Sequence, residues 1–354
     1  MSKEWHYSDD RKRIILEEPP KQKLRISGHR MSTVLGLNKY ATPFMAWAEI
    51  TKTVSVPFVE NKYIIAGRVI EPSAIDYVRD RFPNIKSMEE YYGNMIDDYR
   101  YNNFKNESNI FGGVFDFVST KNNGRDIVMI GEVKTTGHPE YFMNNNVPVE
   151  YSLQAALYAK LKGLDKVLFV VCFLDDMDYA HPEKFVPNEN NTKLIVKRLD
   201  EMFFEIDGEY LSIDDCMAKA EKFWNDYVMT GISPEFDETL DKEYLDIIRK
   251  SKPSEDTELD TLCEEAINLA RQIKETENNS NIASLKKELK VIETAIKETM
   301  QEKNLDNCGA YTLKRTVKST FNEDLFAKEN EKLYNKYCED VVTYKLTKTL
   351  KEEE

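Results

Sequence analysis

The 354-residue sequence predicts an α/β protein in which helices flank a mixed central sheet and a helical appendage follows at the C-terminus. Helix-like and strand-like apolar patterns alternate over residues 32–227. A turn signal joins two strongly β-like segments, and apolar residues repeat at 4-3-4 spacing beyond residue 257. We therefore expect a core at residues 1–235 and a separate C-terminal part at residues 236–354, with Pro234 near the boundary.

The first half of the core is predicted to be mainly helical. Residues 32–50 carry a helical pattern that Gly36 and residues 38–42 interrupt, so two short helices are expected. Residues 60–82 predict a longer helix, in which Pro72 should cause a kink or a fresh start.

A β-rich block follows. Residues 99–104 predict a weak strand, and residues 111–119 and 126–134 predict two stronger ones. Between the stronger strands, the sequence Lys121-Asn122-Asn123-Gly124 predicts a tight hairpin. The remaining predicted elements of the core are a helix at 149–161, a buried strand at 167–174, a strand at 194–199 and a helix at 214–227.

Two apolar seams predict a pair of helices in the C-terminal part, at about residues 257–304. The seams are Leu262, Ala266, Leu269 and Ile273, then Leu285, Leu289, Ile292 and Ile296. Each seam covers about two heptads, which favours a simple packed helix pair over a short coiled coil. A tail at residues 310–321 alternates like a strand and carries Lys314, Arg315 and Lys318.

Charge and cysteine content restrict the class of protein. The net charge of −14 argues weakly against a surface coated with basic groups for nucleic acid, although residues 1–30 carry eight Lys and Arg against five acids. The sequence has no apolar run long enough for a membrane span and no apolar segment of a signal peptide at its start. The five cysteines form no CxxC pair, which favours reduced thiols in a cytoplasm over a zinc site.

Three ionisable residues, Asp116, Glu132 and Lys134, lie inside the apolar runs of the predicted hairpin. With Asn123 and Gly124 at the tip, the numbers of cross-strand partners sum to about 247, so Asp116 comes close to Glu132. Glu132 and Lys134 share one face because side chains alternate along a strand. Two neighbouring buried carboxylates raise each other's pKa, and Mg²⁺ or Mn²⁺ would remove that cost. The spacing alone is equally compatible with a solvated Glu-x-Lys pair.

Four ordered blocks of sequence surround and include these residues. They are residues 26–44, the stretch Gly67-Arg68-Val69-Ile70-Glu71-Pro72, Asp116 with Glu132-Val133-Lys134, and residues 147–158 with Tyr151, Gln154 and Tyr158. In order and spacing they resemble the YqaJ-like viral recombinase nucleases, which are relatives of lambda exonuclease in the PD-(D/E)xK superfamily. The resemblance covers about residues 24–175 and implies a restriction-endonuclease-like core.

The resemblance implies roles for the residues of these blocks. Asp116, Glu132 and the backbone carbonyl of Val133 would hold Mg²⁺, for which Mn²⁺ could substitute. Glu71 would bind a second metal ion or orient water on the first. Lys134 would serve the attacking water, and Gln154 would orient the site or the scissile phosphate. Without the resemblance, Gln154 is better explained as one hydrogen-bonded glutamine on a buried helix face.

The opening block implies a site for a 5′-phosphate. Arg25 fits the place of the family's phosphate-binding arginine, while Ser27 and Ser32 compete for the role of its serine. Arg30 would contribute charge, because a guanidinium grips phosphate oxygens with two hydrogen bonds. Where the family commonly has a Ser-Asp pair, this chain has His29-Arg30, so recognition of a 5′ end is supported by fewer residues than metal-dependent cleavage.

The activity that the resemblance implies is Mg²⁺-dependent exonucleolytic digestion of duplex DNA from 5′ to 3′. The single strands produced would serve phage-type homologous recombination, in the cytoplasm of a bacterial host if a phage encodes the chain. The implied partners are DNA, a single-strand annealing protein and further copies of the chain. Two alternatives stay open: an endonuclease on the same fold, and a non-catalytic DNA-binding or assembly protein that works through the helix pair.

Other polar and aromatic residues are expected to have structural roles. His138 and the acidic stretch Asp175-Asp176-Met177-Asp178 are expected to be solvated. Trp47, Trp224 and the tyrosines near residues 91–101 are expected to belong to the core rather than to stack on unpaired bases.

Overall fold

The computed structural model describes residues 4–57, 59–250, 257–275, 282–308, 311–321 and 338–348. The chain forms two compact units, which divide between Glu235 and Phe236. One unit is His6–Glu235, and the other is Phe236–Glu354 together with Met1–Trp5. Among the described helices, none is both long enough and apolar enough to cross a lipid bilayer.

The elements up to Glu235 alternate between strands and helices. The strands are β1 (Trp5–Tyr7), β2 (Ile14–Leu16), β3 (Ile26–Ser27), β4 (Ile85–Ser87), β5 (Phe111–Gly112), β6 (Phe117–Lys121), β7 (Asp126–Thr136), β8 (Lys166–Phe173), β9 (Thr192–Arg198), β10 (Phe204–Ile206) and β11 (Glu209–Leu211). The helices are α1 (Gly28–Val34), α2 (Pro43–Ile50), α3 (Lys62–Arg79), α4 (Met88–Tyr92), α5 (Ile96–Tyr99), α6 (Val149–Leu161), α7 (Asp176–Ala180) and α8 (Ile213–Phe223).

The central sheet of this unit is mixed, as the sequence predicts. Its strand order is β4-β6-β7-β8-β9, in which β7 and β8 run parallel and the other neighbours run antiparallel. Helix α6 connects β7 to β8 and packs against both. Helix α3 covers one face, where Ala66, Ile70 and Ala74 share a core with Leu168 and Val170 of β8. The predicted fold class, a mixed sheet with flanking helices, is confirmed.

The hairpin of β6 and β7 has the predicted turn but a shifted register. Lys121 pairs with Asp126, and Asn122, Asn123 and Gly124 all have positive φ in the connection. The register slips by one residue between Ser119 and Thr120, so that Phe117 pairs with Gly131. Because of this slip, the numbers of cross-strand partners no longer sum to 247 at Ser119 and before it. The chain that precedes Phe117, which includes Asp116, lies opposite Glu132 and Val133.

Two predictions about local structure are wrong, and at Pro72 one of the two predicted alternatives is excluded. Residues 99–104 form no strand but the end of α5 and a turn, because the Asn102 side chain accepts a hydrogen bond from the Phe104 N–H and the Asn103 side chain donates one to the Tyr99 carbonyl. Residues 111–119 are not one strand, since Gly113 has φ of 141° and separates β5 from β6. The long helix has no fresh start at Pro72, because α3 continues through it.

The second unit contains the predicted pair of helices. Its elements are α9 (Lys242–Lys250), α10 (Thr257–Glu275), α11 (Ile282–Glu302), β12 (Asn307–Cys308), β13 (Tyr311–Phe321) and β14 (Cys338–Lys348). Helices α10 and α11 pack against each other. The buried cluster between them also contains residues of β12 and β13, among them Cys308, Tyr311 and Leu313. The helix pair therefore shares a core with a small antiparallel sheet, ordered β12-β13-β14.

Candidate active site

Asp116 and Glu132 meet where β6 begins. Asp116 directly precedes β6, and its Oδ2 accepts a hydrogen bond of 2.7 Å from the Val133 backbone N–H. Glu132, on β7, has a side chain that is only 1% exposed. Because side chains alternate along β7, Val133 faces the α3 side of the sheet, while Glu132 and Lys134 face the α6 side. The hairpin thus brings two acids together next to the ammonium group of Lys134.

A network of hydrogen bonds joins Glu132, Lys134 and Gln154. The Lys134 Nζ donates to Glu132 Oε2 at 2.9 Å and to Gln154 Oε1 at 3.3 Å. The Gln154 Nε2 donates to the same Glu132 Oε2 at 3.0 Å. Lys134 also lies 5.0 Å from the centre of the Tyr151 ring, a distance at which a cation is attracted by an aromatic face. Gln154 and Tyr151 on α6 thereby fix the position of the lysine.

Burial raises the pKa of three carboxyl groups, those of Glu132, Glu71 and Asp116. Burial raises the pKa of Glu132 to about 8, against the opposing charge of Lys134. Burial, followed by the charge of Asp116, raises the pKa of Glu71 to about 8, which places the Glu71 carboxyl within electrostatic reach of the cluster. Burial also raises the pKa of Asp116. For Lys134, burial alone would lower the pKa, but the charges of Glu132 and Asp116 outweigh it and raise the pKa.

One oxygen of this cluster has no hydrogen-bond partner. Glu132 Oε1 is buried and unpaired among the residues that the structure describes, while Oε2 accepts bonds from Lys134 and Gln154. An unpaired buried carboxylate oxygen is costly unless a cation or a proton compensates it. Carboxylate oxygens are also the ligands that Mg²⁺ prefers. The residues present therefore fit a divalent cation held by Glu132 and Asp116.

The described part of the chain holds no ready-made cluster of three or more His, Cys, Asp or Glu side chains with metal-binding geometry. Glu71 is close enough to Asp116 for the charge of that carboxylate to raise the pKa of Glu71. Val133 lies in the parallel ladder with Val170, and its amide is the donor to Asp116. The roles of Glu71 and of the Val133 carbonyl stay predictions.

The four residues predicted to bind a 5′-phosphate do not form one cluster of contacts with each other. The Ser27 Oγ accepts a hydrogen bond of 3.4 Å from Arg30 Nη1, so these two side chains meet. Arg25 donates to the Phe104 carbonyl at 3.3 Å. Ser32 is buried, and its hydroxyl donates to the backbone carbonyl at position 29. Of the two candidate serines, the structure thus keeps Ser27 partly exposed and buries Ser32.

Tyr158 ties the opening block to the segment before Asp116, a role that the sequence did not reveal. Its hydroxyl accepts a hydrogen bond of 3.3 Å from the Gly28 backbone N–H. Its ring stacks on Phe104 at 4.9 Å between centroids. Gly113 is required beside it, because φ is 141° there and a Cβ would clash with the Tyr158 ring.

Tyr158→Phe is expected to lower the free energy of unfolding by about 1 kcal/mol, because the buried Gly28 backbone N–H loses its acceptor. Urea denaturation of the wild type and the variant measures the difference. Tyr210→Phe, at a tyrosine that is 72% exposed, is the matched control and should change nothing. Equal midpoints for wild type and Tyr158→Phe would show that the hydroxyl does not stabilise the start of α1 at Gly28.

The remaining aromatic candidates are mostly structural. Trp47 is buried and donates to the Tyr227 carbonyl at 3.0 Å, and Trp224 is buried as well. Tyr92 is buried and stacks on Tyr99 at 4.3 Å. These residues therefore belong to the core, as expected from the sequence. Tyr101 is 88% exposed, so for this tyrosine the expectation of core packing is wrong.

Two curated relatives resemble the chain in sequence. The uncharacterized protein MG373 of Mycoplasma genitalium is 27% identical over 254 residues, which are 61% of this chain and 84% of the relative. Its homolog in Mycoplasma pneumoniae is 25% identical over 250 residues, 60% of this chain and 83% of the relative. No protein-family model matches the chain.

Solved structures resemble the chain at low identity over part of its length. The alkaline exonuclease LHK-Exo from Laribacter hongkongensis covers 64% of this chain and 93% of its own, with a TM-score of 0.40 and 15% identity. LHK-Exo in complex with dAMP gives a TM-score of 0.41 at the same identity and coverage. A phage-related exonuclease from Haemophilus somnus covers 58% of this chain and 96% of its own, with a TM-score of 0.35 and 14% identity.

Proposed function

We propose that the chain is a metal-dependent deoxyribonuclease that hydrolyses phosphodiester bonds of DNA. The observation that carries the proposal is the convergence of Asp116, Glu132 and Lys134 at the start of β6, with Glu132 Oε1 buried and unpaired among the described residues. A purely structural ion pair would pair both oxygens of a buried carboxylate or place them in water.

Each side chain of the cluster has a task in the proposed reaction. A bound Mg²⁺ supplies positive charge that stabilises the charge building on a phosphate. Asp116 and Glu132 would hold it, and the hydrogen bond from Val133 fixes Asp116 in place. The Lys134 ammonium can donate to the attacking water or to a phosphate oxygen, and Gln154 keeps it aimed by accepting from it.

The finer function follows the family resemblance. We propose exonucleolytic digestion of duplex DNA from a 5′ end, with the single strands passing to an annealing protein during phage-type recombination and with several copies of the chain acting together. The contact between Ser27 and Arg30 supports a 5′-phosphate site, because a hydroxyl and a guanidinium meet on a partly exposed surface. Glu49 competes for the same guanidinium at 3.3 Å, so phosphate must displace that carboxylate.

The deciding experiment is cleavage of three DNA substrates in Mg²⁺: linear duplex with a 5′-phosphate, linear duplex with a 5′-hydroxyl, and closed circular duplex. We expect progressive loss of the phosphorylated linear duplex, slower loss of the hydroxyl form and an intact circle. Cleavage of the circle would favour the endonuclease alternative. An inert protein on all three substrates would exclude the proposed function.

Metal binding should be visible without any cleavage. Mg²⁺ at ten times its dissociation constant should raise the free energy of unfolding by about 1.4 kcal/mol, because it binds only the folded carboxylate cluster. The measurement is thermal melting of the wild type with Mg²⁺ or with EDTA. The gain should be absent from Asp116→Asn and present in Asp126→Asn, which changes an exposed acid at the other end of β7. Equal melting of the wild type with and without Mg²⁺ counts against the metal site.

A further inference from the structure

A cavity of about 420 Å³ lies at the ends of the two parallel strands, one of which, β7, carries Glu132 and Lys134 of the candidate active site. Gly137 and His138, which follow β7, form one side, and Leu174 and Asp175, which follow β8, form another. The Leu174 N–H donates to the Thr136 carbonyl at 2.9 Å, so the two strand ends are held together there. The carboxyl ends of parallel strands are a common place for ligand sites in α/β proteins.

Two tyrosine rings, those of Tyr63 and Tyr179, line the cavity. Tyr63, in the first turn of α3, is 56% exposed, and its ring meets Tyr179 edge to face with 5.0 Å between centroids. The Asn61 side chain caps α3 and accepts from the Tyr63 N–H at 3.0 Å. Tyr179 lies next to Gly137, where a Cβ would meet its ring at 3.6 Å. The exposed Tyr63 ring is thus carried by a helix start whose backbone is fixed by the Asn61 cap.

The charges around the rings are mixed. The Lys62 Nζ lies 5.2 Å and 5.5 Å from the centres of the Tyr63 and Tyr179 rings, and 3.9 Å from Asp176 Oδ1. The Asp175 side chain accepts from the Met177 N–H and the next one, as the cap of α7. With two carboxylates and one ammonium, the cavity is unfavourable for phosphate alone. Carboxylates can accept hydrogen bonds from the amino groups of nucleobases.

The cavity lies close to the candidate catalytic lysine along the same strand. Gly137 is three residues beyond Lys134, about 10 Å at the usual rise of about 3.3 Å per residue. Helix α3 links the two places as well, since it carries Tyr63 in its first turn and Glu71 further along. The Lys134 side chain lies on the α6 face of the sheet, and the cavity adjoins α3. A DNA strand that passes round the end of β7 could place a nucleotide a step or two from a phosphate at Lys134 against the rings.

We propose that this cavity, the tyrosine pocket, binds an unpaired nucleobase of a DNA strand next to the candidate active site. The proposal rests on the proposed nuclease function. The base would stack on Tyr63, with Asp176 accepting from its amino group and Lys62 contacting the adjoining phosphate. Stacking on aromatic side chains is tolerant of sequence because every base has a π-face.

The test is the binding of a fluorescent octamer of deoxycytidine, followed by anisotropy in EDTA so that no cleavage occurs. Tyr63→Ala should weaken binding about 5- to 160-fold, the range that the loss of one stacked base corresponds to. Tyr63→Phe keeps the ring and should bind within about twofold of the wild type. Tyr210→Ala removes another exposed tyrosine of the same unit and should have no effect.

Competition with deoxycytidine monophosphate separates a strand from a released nucleotide as the ligand. We expect the monophosphate to compete only at far higher concentration than the unlabelled octamer, and equal potency would overturn the assignment to a strand. Octamer binding by Tyr63→Ala that equals the wild type, in a protein that melts normally, would overturn the pocket itself. Cleavage of the linear duplex by the wild type in Mg²⁺ is measured in parallel, so failure of the pocket and failure of the nuclease function give different results.

Discussion

Glu132→Gln should reduce DNA cleavage by about 10³-fold or more, which corresponds to about 4 kcal/mol of lost transition-state stabilisation. The amide keeps the size of the side chain and can still accept from Lys134 and Gln154. It removes the negative charge that a divalent cation needs, and it removes the unpaired carboxylate oxygen. The measurement is the initial rate on the linear 5′-phosphorylated duplex at saturating Mg²⁺.

Asp126→Asn is the matched control for this experiment, because Asp126 is an exposed acid on the same strand. It should cleave at the wild-type rate. Melting curves in EDTA check that Glu132→Gln is folded. If a folded Glu132→Gln protein cleaves DNA as fast as the wild type, the chemistry lies elsewhere and the cluster is structural.

Gly131→Ala should destabilise the first unit by about 3 kcal/mol or more, the upper part of the range for overpacking a core. Gly131 pairs with Phe117 across β6 and β7, and the fully buried Phe117 ring lies over the glycine. A Cβ at position 131 would clash with that ring. Activity should fall as well, because Asp116 and Glu132 are the next residues along the two strands. Urea unfolding gives the free-energy difference.

A second substitution tests the assigned cause. Phe117→Leu frees space beside position 131, so the double variant should recover part of the stability that Gly131→Ala loses, and the two effects should be clearly non-additive. Gly67→Ala is the control glycine: it lies within α3, where a Cβ meets only the Thr135 Oγ1 at 3.6 Å. It should stabilise the protein by about 0.5–1 kcal/mol. Strict additivity at positions 117 and 131 would refute the steric explanation.

The elements that the sequence predicts well have a strong signal of their own. Residues 149–161 were predicted as a helix with the bounds of α6, and the buried strand at 167–174 lies within one residue of β8. β8 is buried on both faces, so its apolar run needs no alternation to be recognised. The two short helices around Gly36 and the turn at residues 121–124 also follow from local chemistry.

The segments that the sequence predicts wrongly depend on partners far away in the chain. Gly113 divides residues 111–119 because β5 pairs with the distant strand β3 and because the Tyr158 ring packs against the glycine. The sequence around Gly113 shows neither contact. The slip between Ser119 and Thr120 likewise accompanies the pairing of Phe117 with Gly131. Neither contact leaves a local pattern, because each involves residues more than ten positions apart.

The sequence by itself determined the mixed sheet with its flanking helices, the β6–β7 hairpin and the identity of Asp116, Glu132, Lys134 and Gln154 as candidates. Only the tertiary structure decided that Glu132 is buried with one oxygen unpaired, that Ser32 is buried while Ser27 meets Arg30, and that Tyr63 and Tyr179 line a cavity at the end of β7. Periodicity reports which face of an element is apolar. Desolvation and side-chain pairing depend on the atoms that other segments bring to that face. They set the protonation state of each candidate residue and the groups that it can contact.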